Sequence, residues 1–128
     1  MENGIIDLLV RIKNGYMNRR DSIESPYSSF REAMLNKLKE LGYISGFAVE
    51  GEIIKKITID LVYREREPAL TDVVVVSKPG KRIYIPYRKL KPVLNNYGYA
   101  ILSTPKGIKT NKEAVREKLG GELLFNIW

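Results

Sequence analysis

The chain has 128 residues and 14.7 kDa, is 44% apolar and 29% charged, and contains neither cysteine nor histidine. That length bounds it to one compact unit or two very small domains, with enough buried surface for a true core. The missing cysteine excludes disulfide scaffolds, zinc ribbons and thiol catalysis and permits a reducing compartment; the missing histidine removes the commonest general base and metal ligand. No stretch approaches the ~18 apolar residues of a membrane span. Asp7, Arg11 and Lys13 interrupt the first apolar run, so it does not read as a signal peptide.

The first predicted element is a helix. Asn3 suits its N-cap, and Ile5, Leu8, Leu9, Ile12 and Tyr16 recur at helical spacing, with Asp7 where the helix dipole favours an acid. Arg11, Lys13 and Asn14 lie off that stripe. A weak strand signal follows at 22–25. Ser29 with Glu32 predicts a capping box, Phe30, Met34, Leu38 and Leu41 a buried face, and Gly42 a C-terminal stop. Beyond it the period changes. Tyr43 to Val49 reads as a strand, Glu50-Gly51-Glu52 as a turn, and 53–63 as a strand with Ile57, Ile59, Leu61 and Tyr63 on one face. The charged run Arg64-Glu65-Arg66-Glu67-Pro68 reads as a linker.

The second half predicts shorter elements. Val73 to Val76 is a β-branched run, and Lys78-Pro79-Gly80-Lys81 has the residues of a type II turn. Arg82 to Ile85 continues as a strand, Tyr87 to Leu94 holds one or two helical turns broken by Pro92, and Tyr99 to Leu102 is a strand. Ser103-Thr104-Pro105-Lys106-Gly107 is a loop by composition. Thr110 and Glu113 open a short helix through about Lys118, which Gly120 and Gly121 stop. In the last run, 122–128, Leu123, Phe125 and Ile127 fall on one face. The expected fold class is mixed α+β in two small domains. Residues 1–66 read α-β-α-β-β, and residues 67–128 are mainly β with short helices.

Charge directs the functional reading. The net charge is +7 and the isoelectric point about 9.6. Residues 1–64 carry a net +1 and residues 65–128 a net +6, and no acid lies between Val73 and Lys112. Such a balance favours a polyanion, nucleic acid before an acidic membrane surface. Within the acid-free stretch stand Lys78, Lys81 and Arg82; Arg88, Lys89 and Lys91; and the loop Ser103, Thr104, Pro105, Lys106, Gly107. Lysine and arginine neutralise phosphates, hydroxyls bond phosphate, sugar or base edges, and glycine admits close backbone approach. Tyr84, Tyr87, Tyr97 and Tyr99 interleave with these charges and offer stacking to unpaired bases, although packing is the favoured role for Tyr84 and Tyr99. Catalysis finds little support. There is no glycine-rich phosphate loop, Glu50 and Glu52 sit in a predicted turn, and Ser103 with Lys106 lacks a visible oxyanion constellation.

Four stretches carry a resemblance. They are residues 7–14, Asp-Leu-Leu-Val-Arg-Ile-Lys-Asn; 77–84, Ser-Lys-Pro-Gly-Lys-Arg-Ile-Tyr; 98–107, Gly-Tyr-Ala-Ile-Leu-Ser-Thr-Pro-Lys-Gly; and 120–128, Gly-Gly-Glu-Leu-Leu-Phe-Asn-Ile-Trp. In order and spacing the chain resembles the universal small-subunit ribosomal protein number eight family in its bacterial form. The resemblance implies an α/β N-terminal domain, a mainly β RNA-binding C-terminal domain, no catalysis, no cofactor or metal, and a cytoplasmic place on the ribosome. It implies primary binding to a hairpin in the central domain of small-subunit ribosomal RNA, nucleation of the subunit platform, neighbouring small-subunit proteins as partners, and no membrane. Some members also bind their own operon messenger RNA.

The family's RNA loop pattern, Ser-Thr-Ser/Asn-Lys-Gly, maps onto Ser103, Thr104, Pro105, Lys106 and Gly107, and the proline departs from it, having neither hydroxyl nor N–H. Asn95, Asn96 and Tyr97 also stand where relatives often carry glycine or basic residues. Gly120, Gly121 and Glu122 match, and Glu122 has three readings: accepting from a base amine, holding Ser103, or a strand-edge charge. A generic RNA- or DNA-binding module and an mRNA regulator are the alternatives.

Overall fold

The apolar stripe from Ile5 to Tyr16 folds as helix α1, Gly4–Met17. The computed structural model describes residues 4–94 and 97–128, so Asn3, Asn95 and Asn96 lie outside the described residues. The chain divides into two compact units, Met1–Thr71 and Asp72–Trp128. No described helix is long and apolar enough to cross a membrane.

In the first unit α1 is followed by β1 (Ser22–Pro26), α2 (Ser29–Glu40), β2 (Gly46–Glu50) and β3 (Lys56–Asp60). The strands form an antiparallel sheet in the order β1-β3-β2, with Ile59 between Ile23 and Phe47. Ile57, Ile59, Leu61, the α1 stripe, Met34, Leu35 and Leu38 are buried. Gly15 permits close approach of α1 to the sheet: a Cβ there would lie 2.6 Å from Ile23 Cγ2. The buried Tyr16 hydroxyl donates to the Tyr43 carbonyl (2.7 Å) and accepts from the Val62 N–H (3.1 Å), which satisfies it inside the core. Burial pushes this phenol's pKa up.

Four local expectations change. The α2 cap is Ser28, whose hydroxyl accepts from the Arg31 N–H; Ser29 and Glu32 close no box, and Glu32 instead accepts from the Tyr27 hydroxyl at 3.0 Å. The expected strand at Tyr43 begins only at Gly46. Gly42 takes φ +87°, and the Tyr43 and Gly42 N–H groups return to the Leu38 and Lys39 carbonyls, so Tyr43 completes the helix stop. Ile53 and Ile54 leave the strand and are 95% and 87% exposed, because Gly51 at φ +104° folds the chain tightly against the Ile54 carbonyl. The expected linker is a hairpin: β4 (Tyr63–Arg64) pairs with β5 (Glu67–Pro68) around Glu65 and Arg66. Both turn residues have positive φ, the geometry of a type I′ turn built without glycine, which hid it in the sequence.

The second unit contains β6 (Val73–Val75), β7 (Tyr84–Ile85), a 3₁₀ turn (Tyr87–Lys89), β8 (Tyr99–Thr104), β9 (Gly107–Thr110), α3 (Asn111–Glu117) and β10 (Gly121–Ile127). The sheet order is β6-β10-β8-β9, all antiparallel, and β7 also pairs with β10. Ala100, Ile101, Leu102, Ala114, Leu124, Phe125 and Ile127 form its core. The capping box at Thr110 and Glu113 is present. The expected strand from Arg82 is confined to Tyr84–Ile85. The helix stop is Lys118 in the left-handed region (φ +56°), ahead of the glycines that were expected to end it. The expected alternation in β10 also breaks. Leu123 pairs with Leu102 but Phe125 pairs with Ile101, so Leu124 is an extra, bulged residue. The bulge changes the phase, burying Leu124 with Phe125 and Ile127 while Leu123 is half-buried.

Candidate nucleic-acid interface

The site residues assemble around one end of β10. At Gly121 the strands approach so closely that an added Cβ would lie 2.3 Å from the Ser103 carbonyl oxygen; at Gly120 it would lie 3.0 Å from the Ile85 carbonyl oxygen. Gly121 is therefore needed for strand approach, and Gly120 keeps the preceding backbone tight against Ile85. Glu122 then pairs with Ser103 of β8 on one side and Tyr84 of β7 on the other. Directly opposed residues of antiparallel strands share a face, so Tyr84, Glu122 and Ser103 form one row. Tyr84 is 72% exposed on the strand surface, which excludes the core half of the core or strand-surface packing expected of it. Glu122 is 7% exposed and lies on a strand flanked on both sides, so it is no edge charge. Its carboxylate accepts from Arg82 Nη1 at 3.4 Å. A buried carboxylate with a guanidinium partner is tolerable where an unpaired one would not be.

Two hairpin turns flank the row. In the first, Lys78 and Lys81 exchange both backbone hydrogen bonds (2.9 and 3.1 Å), and Gly80 at φ +80° supplies the positive corner of the turn. Buried Ser77 fastens its base, its hydroxyl accepting from the Ile83 N–H at 2.9 Å. Lys78 and Lys81 are exposed, whereas Arg82 is half-buried on Glu122. The second turn replaces the expected loop. Ser103 and Thr104 belong to β8 and Gly107 to β9, leaving only Pro105 and Lys106 at the tip. The Thr104 hydroxyl donates to the Gly107 carbonyl (2.8 Å) and accepts from the Lys106 N–H (3.2 Å). That hydroxyl builds the turn. The Ser103 hydroxyl has no hydrogen-bond partner among the described residues. Pro105 fits the first corner, where fixed φ is an advantage.

The other predicted cations lie apart in the chain. Arg88 and Lys89 sit on the 3₁₀ turn and Lys91 just beyond, all exposed, with the Arg88 guanidinium 5.8 Å from the Tyr87 ring centre. Tyr97 is exposed, and the half-buried Tyr99 ring has Lys112 Nζ 4.9 Å from its centre. Sequence reasoning missed β9 and the row itself. The signal available was the alternation of Ile108 and Thr110, too short to separate from a loop. Among the described residues no three metal-ligating side chains cluster.

This is the architecture of a two-unit α+β protein that presents hydroxyl, aromatic and lysine groups on a basic sheet end. A sequence model described as Ribosomal protein S8 matches residues 3–128. A small ribosomal subunit protein uS8 from Dictyoglomus thermophilum is 46% identical over 125 residues, covering 97% of this chain and 95% of that protein. One from Mycoplasmopsis synoviae is 40% identical over 126 residues, covering 97% and 96%. One from Chloroflexus aurantiacus is 43% identical over 125 residues, covering 95% and 94%. The chain belongs to the ribosomal protein S8 family. With that membership go a structural, non-enzymatic part in the small ribosomal subunit and a cytoplasmic location on the ribosome.

Proposed function

We propose that this protein is a primary ribosomal-RNA binder that clamps a hairpin of the central domain of small-subunit RNA through its second unit and so helps assemble the subunit platform. The observation that carries this reading is the row Tyr84, Glu122, Ser103 set between two lysine-bearing turns. In this reading Lys78, Lys81 and Lys106 neutralise backbone phosphates, as do Arg88, Lys89 and Lys91 on their own segment. Ser103 supplies the free hydroxyl, and Tyr84 an exposed ring for an unpaired base. Thr104, Pro105 and Gly107 hold the tip in shape. Gly120 and Gly121 bring the strands together, and Arg82 keeps Glu122 fixed beside Ser103. Paired A-form RNA hides base edges in a deep groove, so such a row suits a widened minor groove or a bulged base. Neighbouring small-subunit proteins complete the assembly, and a messenger that folds into the same hairpin shape would engage the same residues.

Footprinting of the protein on naked small-subunit RNA tests the reading. The expected result is protection confined to one central-domain hairpin, with log affinity falling against log salt by roughly 0.7–0.9 per phosphate contact. Protection spread evenly over the RNA would replace it with a generic RNA-binding role.

A further inference from the structure

The second unit also contains a cavity of about 700 Å³ away from the row. Ile85, Leu90, Pro92, Val93, Ala100 and Leu123 give it aliphatic walls, and the exposed basic residues Arg88, Lys89 and Lys91 and the polar Asn126 also line it. Its walls are fixed. The Asn111 side chain accepts from the Ala100 N–H and donates to the Lys91 carbonyl, both at 3.2 Å, which ties the Lys91 segment to β8. The Gly98 N–H donates to the Val93 carbonyl at 3.1 Å. Asn126 and Ala100 are cross-strand partners, so they face the same side of the sheet. The Asn126 amide is half-buried and has no side-chain hydrogen bond among the described residues.

A largely apolar pocket of this size with a small number of polar groups is the usual form of a small-ligand site. Its chemistry narrows the ligand. A carboxamide offers one donor and one acceptor side by side, the pattern that adenine complements through N7 and N6. Aliphatic walls suit the faces of a flat heteroaromatic ring. Three cations suit a phosphate attached to it. We infer that this pocket is an adenine-nucleotide site in which Asn126 reads the base and Arg88, Lys89 and Lys91 hold the phosphate. The nucleotide is either an extrahelical adenosine of bound RNA or a free adenosine phosphate. The RNA source rests on the proposed ribosomal-RNA role; the free-nucleotide source does not.

The test is methyl and amide NMR of the full chain. Adenosine 5′-monophosphate is expected to shift Val93, Ala100, Leu123 and the Asn126 side-chain amide saturably, adenosine to do so more weakly, and inorganic phosphate to leave those signals in place. Asn126→Asp keeps the shape but removes the donor, and should weaken the monophosphate by about fivefold or more. Asn126→Leu makes the polar group apolar and should do the same. A second arm compares an RNA hairpin bearing one extrahelical adenosine with the same hairpin lacking it. A preference for the first that disappears in Asn126→Asp assigns the pocket to RNA. Equal affinity for the two hairpins, with monophosphate binding retained, assigns it to a free nucleotide. Absence of pocket shifts with both the monophosphate and the bulged hairpin, or monophosphate affinity unchanged in both variants, overturns the inference. Failure of the wild-type chain to bind the central-domain RNA, with monophosphate shifts intact, would instead count against the proposed function alone.

Discussion

The two units treat their positive charges differently. In the first, four cations pair with the fold's own acids. Arg11 and Arg31 both reach Asp7 (2.8 and 2.9 Å), Lys56 reaches Glu24 (2.9 Å) and Lys37 reaches Glu40 (2.9 Å). In the second, Arg82 on Glu122 and Lys109 on Glu117 are paired, whereas Lys78, Lys81 and Lys106 have no ion pair among the described residues. The same residue type is therefore scaffold at Arg11, Arg31, Lys37 and Lys56 and available for a ligand at Lys78, Lys81 and Lys106. What decides between the two is whether the fold brings a carboxylate within reach.

The largest expected effect comes from destroying the strand approach that builds the row. Gly121→Val places a side chain against the Ser103 carbonyl, and overpacking of this kind costs about 1–3 kcal/mol. Denaturant unfolding should show that loss, and RNA affinity should fall with it because Ser103 and Glu122 move apart. Unchanged stability would mean that the strands separate freely and that the row is not rigid.

Removing the unpaired lysines sharpens the contrast most directly. Lys78→Ala, Lys81→Ala and Lys106→Ala combined should flatten the salt dependence of RNA binding by roughly two to three counterion equivalents, with little change in melting temperature. Arg31→Ala should do the reverse, lowering stability while leaving the salt slope in place. A variant pair that behaved alike would erase the distinction between the units.

The two hydroxyls of the β8 end should also separate. Ser103→Ala is expected to cost about 1–3 kcal/mol of RNA affinity if it leaves a buried RNA group unpaired, without touching stability. Thr104→Val removes both hydroxyl bonds of the turn and is expected to cost about 0.5–1.5 kcal/mol of stability first. Parallel titration and thermal melts of the two variants decide it; a stability loss in Ser103→Ala would exchange their roles.

The smallest effect concerns acid. The hydrogen bond from Arg11, followed by that from Arg31, holds the Asp7 carboxylate below its usual range. A folded-state pKa below the unfolded one stabilises the protein above the unfolded value, and that contribution is lost as pH falls through the folded value. Asp7 is largely exposed, so solvent screening keeps the contribution under about 1 kcal/mol. Asp7→Asn should therefore flatten the acid limb of the stability curve slightly and change nothing at alkaline pH. A steeper acid limb in the variant would show that the sign is wrong.

Much of the architecture was legible because it follows from local chemistry. The α1 stripe, the Thr110–Glu113 box, the Lys78–Lys81 turn and the alternation of Ile57, Ile59 and Leu61 each reflect contacts within a few residues. The basic stretch and the hydroxyl tip were legible too, as composition. The hairpin at 63–68 was not, since its two positive-φ turn positions are Glu65 and Arg66 rather than glycine or asparagine. Nor was Ser28 as a cap, because Ser28 and Ser29 are chemically equivalent and only the Arg31 N–H chooses between them.

By itself the sequence determined the α1 stripe, the Thr110–Glu113 box, the Lys78–Lys81 turn and the alternation of Ile57, Ile59 and Leu61, and that the net positive charge lies in the second half. These depend on side-chain type and short spacing. Only the tertiary structure decided which of the cations are available, which hydroxyl is free, and that Tyr84 lies exposed beside a buried Glu122. Those outcomes depend on register across three strands, and the bulge at Leu124 shifts that register by one residue within β10. A one-residue shift changes which side chains face together, and no local pattern records it.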